Sequence, residues 1–192
     1  MTRERMIHVK GQPIIIDQDE VLRRWITRET PKGEYPDADP SNWDGERLID
    51  ELAETYDEPV EPATRGDPTW TSIAVYGSEV GKFNAYPGCG WDALSNDGTI
   101  GNAVDRLQRE DLADDFPDAT STISTFKELY PGANLGAIVA RQFDDEWPPV
   151  LLEGNHRATA AHWVAQEGAS VTLEIHLAHE KSFEEMELMQ DH

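Results

Sequence analysis

Five consecutive residues near the C-terminus could bind an anion or transfer a proton: Glu153, Gly154, Asn155, His156 and Arg157. The arginine offers a planar set of N–H donors that suits phosphate or carboxylate oxygens. The histidine can donate, accept or carry a charge near neutral pH, and the glutamate could accept a proton or hold a metal ion. Gly154 permits a sharp turn and a close approach of the backbone to a ligand.

The flanking sequence predicts that this segment begins a helix. The apolar run Pro149–Leu152 is typical of a buried strand, and a helix is expected over Asn155–Glu167, ending at Gly168. The free N–H groups and partial positive charge of a helix N-terminus attract anions. An arginine in the first turn opposes the helix dipole, so it calls for a negative partner. We expect a bound anion at Arg157; the alternative is an ion pair with one of the many carboxylates.

The stretch PVLLEGNHRATAAHW, Pro149–Trp163, resembles the signature of the ParB/sulfiredoxin superfamily. That signature is a strand, an acidic or small residue, glycine, polar residues, arginine and an alanine-rich helix. In this superfamily the turn and the helix start bind nucleotide phosphates, which implies four contact residues here: Gly154, Asn155, His156 and Arg157. Glu153 matches the acid that opens the motif of free serine kinases, so the resemblance implies that it is catalytic. We treat His156 as the second candidate catalytic residue.

Two departures from the superfamily restrict this expectation. Asn155 stands where sulfiredoxins have their reactive cysteine, and this excludes sulfinic-acid repair. Because few residues follow the predicted strand Val171–Leu177, we do not expect the helix-turn-helix domain that partitioning proteins carry after this unit. The resemblance covers residues Trp147 to Leu177.

The leading functional hypothesis is a nucleotide-binding enzyme that uses ATP, ADP or CTP with Mg²⁺. It would transfer a phosphoryl group to a small hydroxylated metabolite or hydrolyse the nucleotide. Mg²⁺ would offset the phosphate charge, Arg157 and the helix N-terminus would stabilise the transition state, and Glu153 would act as base. A different class is a non-catalytic acidic regulator, such as a DNA mimic. A ParB-like nuclease is a third alternative, which the missing basic surface disfavours.

The composition is strongly acidic, with 38 Asp and Glu against 16 Lys and Arg and a net charge of −22. Small domains usually carry a charge of magnitude about 2–8. The acids are scattered along the chain, and the composition resembles that of proteins from extreme halophiles, where salt screens the self-repulsion. The alternative is an acidic mesophilic protein. Either composition disfavours direct binding of nucleic acid.

Further classes are excluded by other features of the sequence. No apolar run approaches the roughly 18–20 residues of a membrane span, and no signal peptide is evident, so we expect a cytoplasmic protein without a membrane partner. The single Cys89 excludes a disulfide framework and a multi-cysteine zinc site. His162 does not share a helix face with His156, so we predict no metal site there and expect His162 to be a packed or edge histidine.

The length of 192 residues predicts one domain of α/β (α+β) class, a small mixed sheet with surrounding helices. We expect the ParB/sulfiredoxin-like core in residues 135–180, and mostly helices and family-specific additions in residues 1–134. Predicted strands are Gln12–Ile16, Thr71–Tyr76, Leu135–Ala140, Pro149–Leu152 and Val171–Leu177. Further helices are expected after the N-caps Asp17, Ser41 and Ser182 (the last through Met189), near Asn102–Phe116, and as a short helix before residue 135. Thr30–Asn42, Glu58–Pro68, Gly77–Gly101 and a Thr/Ser-rich turn near residue 120 are expected as connections.

Overall fold

The computed structural model describes residues 7–29, 39–87, 90–110, 112–130, 133–143, 148–180 and 188–191. The strands in these ranges are β1 (Ile7–Ile15), β2 (Thr69–Tyr76), β3 (Asn84–Ala85), β4 (Ile138–Arg141), β5 (Val150–Glu153), β6 (Thr172–His179) and β7 (Leu188–Asp191). The α-helices are α1 (Gln18–Glu29), α2 (Gly45–Thr64), α3 (Gly77–Val80), α4 (Trp91–Leu94), α5 (Ile100–Arg109), α6 (Pro117–Leu129) and α7 (Asn155–Gln166). None of these helices is long and apolar enough to cross a membrane.

The described strands form one mixed sheet in the order β3-β5-β4-β6-β2-β1-β7. Strand β2 is antiparallel to both of its neighbours, β1 and β6, whereas β4 is parallel to β6 and antiparallel to β5. The predicted α/β class with a mixed sheet is therefore confirmed. Strands β1, β2 and β3 come from the first 134 residues, so the sheet extends well beyond residues 135–180.

Helices cover both faces of the sheet. One face packs against α7, which in turn contacts α3, α5 and α6; Leu173, Ile175 and Leu177 of β6 belong to this core. The opposite face packs against α1 and α2 and includes Ala178 of β6. Because side chains alternate along a strand, Glu174 and His176 lie on this second face, beneath α1.

The cap of α1 agrees with the prediction, and the cap of α2 does not. The Glu20 N–H donates to Asp17 Oδ1 at 3.3 Å, so Asp17 caps α1. Ser41 was predicted to cap the next helix, but it lies in a short 3₁₀ turn, Pro40–Asn42. Asp44 caps α2 instead, accepting the Arg47 N–H at 3.0 Å. The Asp44 carboxylate therefore caps the helix, and not the Ser41 hydroxyl that the sequence pattern predicted.

The predicted connection Glu58–Pro68 is wrong, because α2 continues to Thr64. The helical backbone breaks at Tyr56 (φ −130°, ψ 53°). Pro59 therefore falls in the first turn after the break, where a missing N–H and a fixed φ are tolerated. The kink at Tyr56 therefore lets the helix accommodate Pro59, and the sequence pattern did not predict this kink.

Four more segments differ from the prediction. The Thr/Ser-rich stretch is part of α6. The Thr120 hydroxyl donates to the Phe116 carbonyl, so it has a hydrogen-bond partner within its own segment. The helix predicted to reach Phe116 ends at Arg109. The segment Gly77–Gly101 holds α3, β3 and α4 as well as turns, and Met189 lies in β7, which pairs with β1. Met189 is in a strand and not in the predicted helix because its segment pairs with the distant strand β1.

Some predictions lie outside the described residues. These are the loop at residues 30–38, the environment of Cys89 and the helix start at Ser182.

Candidate functional site

The strand-to-helix junction predicted around Gly154 is present: β5 ends at Glu153 and α7 begins at Asn155. Gly154 has φ 90° and ψ 18°, the left-handed region that favours glycine. A Cβ at this position would lie 1.8 Å from Cγ2 of Ile138 on the neighbouring strand β4. Both the conformation and the packing therefore require glycine.

Arg157 is buried, with 5% of its surface exposed. Its Nη1 donates to the carbonyl oxygens of Leu135 at 2.6 Å, Gly136 at 3.3 Å and Ala137 at 3.2 Å. Its Nη2 donates to Oε2 of Glu153 at 2.5 Å. This is the ion pair that the sequence left open as the alternative to a bound anion. The arginine ties residues 135–137 to the start of α7.

Glu153 accepts a second guanidinium group at the same oxygen. Arg28 of α1 donates from Nη2 to Oε2 of Glu153 at 2.6 Å, and from Nη1 to the Ala137 carbonyl. Burial lowers the pKa of Arg28; the Glu153 carboxylate opposes this shift, and the charge of Arg157 adds to it. Glu153 could serve as the predicted base only through its other oxygen or after loss of an ion pair.

The other two predicted contact residues are half-buried at the N-terminus of α7. The His156 ring packs edge-to-face on Trp91, with 5.1 Å between the ring centroids. Asn155 Oδ1 is buried and has no hydrogen-bond partner among the described residues.

A cleft of about 840 Å³ lies on the other side of the segment that Arg157 holds. Its walls are residues 134–137, residues 39–41 and α1, with Glu174 of β6 also lining it. Arg28 lines the cleft and also bonds Glu153, so it connects the two places. Arg157 itself stands behind the 135–137 wall and does not line the cleft.

Arg23 and Arg24 line the same cleft from α1. Arg24 pairs with Glu20 at 2.8 Å and with Glu174 at 3.4 Å. Arg23 pairs with Asp19 at 3.5 Å, and its Nε is buried without a hydrogen-bond partner among the described residues. With Arg28, three of the 16 Lys and Arg residues of a chain with net charge −22 line one concavity.

Sequence reasoning identified neither these arginines nor His176, which lies near them. His176 is 1% exposed, and its Nδ1 lies 3.9 Å from Oε1 of Glu174. Neither ring nitrogen has a hydrogen-bond partner among the described residues. Burial lowers the pKa of His176 to about 4; Glu174 opposes the shift, and Arg24 and Arg28 add to it. The sequence signal that could have pointed to His176 is a pair of ionisable residues, Glu174 and His176, on one face of an otherwise apolar strand.

The part of the chain that the structure describes contains no preformed site for the expected Mg²⁺. No group of three or more His, Cys, Asp and Glu side chains there could hold a metal ion. His162, predicted as a packed or edge histidine, is 8% exposed, with Nδ1 2.9 Å from the Gly77 carbonyl oxygen. That prediction is confirmed.

Comparison with protein-family models, with curated proteins and with solved structures found no match to this chain. The resemblance to the ParB/sulfiredoxin superfamily therefore stays a prediction from the motif.

Proposed function

We propose that this protein binds a phosphorylated ligand of nucleotide size in the cleft between α1 and residues 134–137. The observation that carries the proposal is the presence of Arg23, Arg24 and Arg28 in one concavity of a strongly acidic chain. Guanidinium groups recognise phosphate oxygens through paired N–H donors. The volume of about 840 Å³ lies in the range of about 300–1,000 Å³ usual for small-molecule sites.

The motif residues have an indirect role in this proposal. Arg157 and Glu153 fix the 135–137 segment, and this segment forms a wall of the cleft. Arg28 receives its orientation from Glu153 and from the Ala137 carbonyl. The motif would therefore shape the phosphate site, while the contacts fall to the arginines of α1. The start of α7, with Asn155 and His156, is the alternative contact.

The proposal is limited to binding. Phosphoryl transfer or nucleotide hydrolysis with Mg²⁺ remains the prediction of the resemblance, since Oε2 of Glu153 already accepts two ion pairs. A metal ion would depend on ligand phosphates for much of its coordination, because the described residues provide no cluster for it.

The test is calorimetric titration with ATP, ADP and CTP, with and without Mg²⁺, in salt that screens the net charge. Arg24→Gln should weaken binding roughly ten- to a hundredfold, since a charge-assisted hydrogen bond contributes about 1.5–3 kcal/mol. Arg109→Gln is the matched control, because Arg109 also pairs with an acid four residues away, Asp105, but outside the cleft. It should leave the affinity unchanged.

Two results would contradict the proposal: no nucleotide binding by the wild-type chain, or an equal loss in both variants. The first result would favour the acidic regulator. The exposed face of α2 then becomes the relevant surface, because Glu46, Asp50 and Glu54 repeat along it every four residues.

A further inference from the structure

His176 occupies an unusual position beneath the arginine-lined cleft. In the sheet it pairs with Ser72 of β2 and with Val139 of β4, so its strand neighbours carry no charge. It lies on the same face of β6 as Glu174, which lines the cleft. The charged groups that act on it are Glu174 of β6 and Glu20, Arg24 and Arg28 of α1. All four line the cleft.

The unbonded imidazole is costly to the fold as it stands. A buried polar group without a partner loses the hydrogen bonds that it makes with water in the unfolded chain, so each such group calls for an explanation. Both ring nitrogens of His176 are in this state among the described residues. A ligand or a movement of Glu174 could supply the missing acceptor.

The present ion pairs hold Glu174 away from the ring. Oε1 of Glu174 accepts the Ser72 hydroxyl at 2.9 Å and Arg24 Nη1 at 3.4 Å, and it lies 3.9 Å from His176 Nδ1. A phosphate group in the cleft would compete with Glu174 for Arg24 and would offset the positive charges of Arg24 and Arg28 that act on the ring. Both changes favour an imidazolium over a neutral imidazole.

We propose that the phosphate-binding end of the cleft is formed by Arg24 and Arg28, and that His176, buried beneath Glu174 of this cleft, takes up a proton when the anion binds. This inference rests on the proposed function and assigns a histidine to it. The proton comes from solvent, and no covalent bond changes. The imidazolium Nδ1–H then donates to the Glu174 carboxylate released from Arg24, whose Oε1 already lies 3.9 Å away.

The test measures proton uptake directly. Titrations with ADP at about pH 6.5, in two buffers of different ionisation enthalpy, give the number of protons bound per ligand. The wild-type chain should take up a substantial fraction of one proton that is absent in His176→Gln. Both proteins experience the same titration of the ADP phosphate, so the difference between them belongs to His176.

A second probe removes the ligand titration altogether. Sulfate carries no titrating proton near neutral pH, and its affinity for the wild-type chain should rise by up to about tenfold per pH unit as the pH falls from 7 toward 5. His176→Gln should remove this slope. His8→Gln is the control, because His8 lies on β1, where its backbone N–H donates to Glu79, an acid that does not line the cleft; it should keep the slope.

The outcomes separate this inference from the proposed function. ADP binding without proton uptake, or with the same uptake in His176→Gln, overturns the role of His176 and leaves the cleft as a binding site. Absence of ADP and sulfate binding overturns both. If His176→Gln fails to fold, the two-buffer experiment on the wild-type chain decides alone, since zero uptake beyond that of free ADP contradicts the inference.

Discussion

Arg157 and the arginines of the cleft lie on either side of the 135–137 segment and have opposite roles. Arg157 is 5% exposed, and its guanidinium bonds Glu153 and three carbonyl groups. The Arg24 side chain is 47% exposed and pairs with carboxylates that line the cleft with it. Ion pairs of the first kind determine backbone positions, and those of the second kind can be exchanged for a ligand. The arginine in a recognisable motif is the one committed to the fold.

The largest expected effect is that of Arg157→Ala on stability. It would leave the Glu153 carboxylate with Arg28 alone and the Leu135 carbonyl without its donor. Breaking one side of a buried pair costs about 3–5 kcal/mol. Urea unfolding in molar salt should show a loss of this size, and Arg157→Lys should lose less, because it keeps the charge without the planar set of donors.

A contrary result for Arg157 would reverse the comparison. An Arg157→Ala protein with unchanged unfolding free energy and abolished nucleotide binding would place the ligand at the N-terminus of α7. The sequence-based expectation of direct phosphate contact by Arg157 would then hold.

The next effect separates two buried histidines by their response to pH. His162 is bonded through its ring, whereas His176 has no hydrogen-bond partner among the described residues and a pKa lowered by burial to about 4. The native state therefore binds fewer protons than the unfolded state between about pH 4 and 6.5. Stability from this group is complete above about pH 6.5 and falls with decreasing pH, by about 3 kcal/mol at pH 4.

The measurement for His176 is the difference in unfolding free energy between wild type and His176→Gln across this pH range. Titration of the many carboxylates affects both proteins and cancels in the difference. The variant should lose less stability on acidification. Identical pH profiles would show that His176 is charged or bonded in the folded protein.

The parts of this site that the sequence could predict are the local ones. Pro149–Gly168 was predicted as strand, turn and helix because apolar pattern, Gly154 and the helix stop lie within twenty residues and agree with one another. The predictions for the start and the end of α2 were wrong. Ser41 and Asp44 are both acceptable N-caps, and Pro59 is an ordinary signal for the end of a helix. The cleft could not be predicted, since it needs α1, the 39–41 turn, the 134–137 segment and β6 to meet in space. In the sequence, Glu20 and Arg24 are an ordinary helical pair.

The smallest expected effect is that of Arg24→Gln on stability, and it completes the comparison with Arg157. The pair of Arg24 with Glu20 spans four residues on an exposed helix face, with side chains 47% and 43% exposed. Such pairs contribute about 0.3–0.5 kcal/mol, and the longer pair with Glu174, at 3.4 Å and equally exposed, adds little. The unfolding free energy should therefore change by less than about 0.5 kcal/mol. Arg65→Gln, which breaks the equally spaced and more exposed pair with Glu61, is the control and should behave alike. If Arg24→Gln instead destabilised the protein as strongly as Arg157→Ala, both arginines would belong to the fold, and Arg24 could not exchange its carboxylate partners for a phosphate.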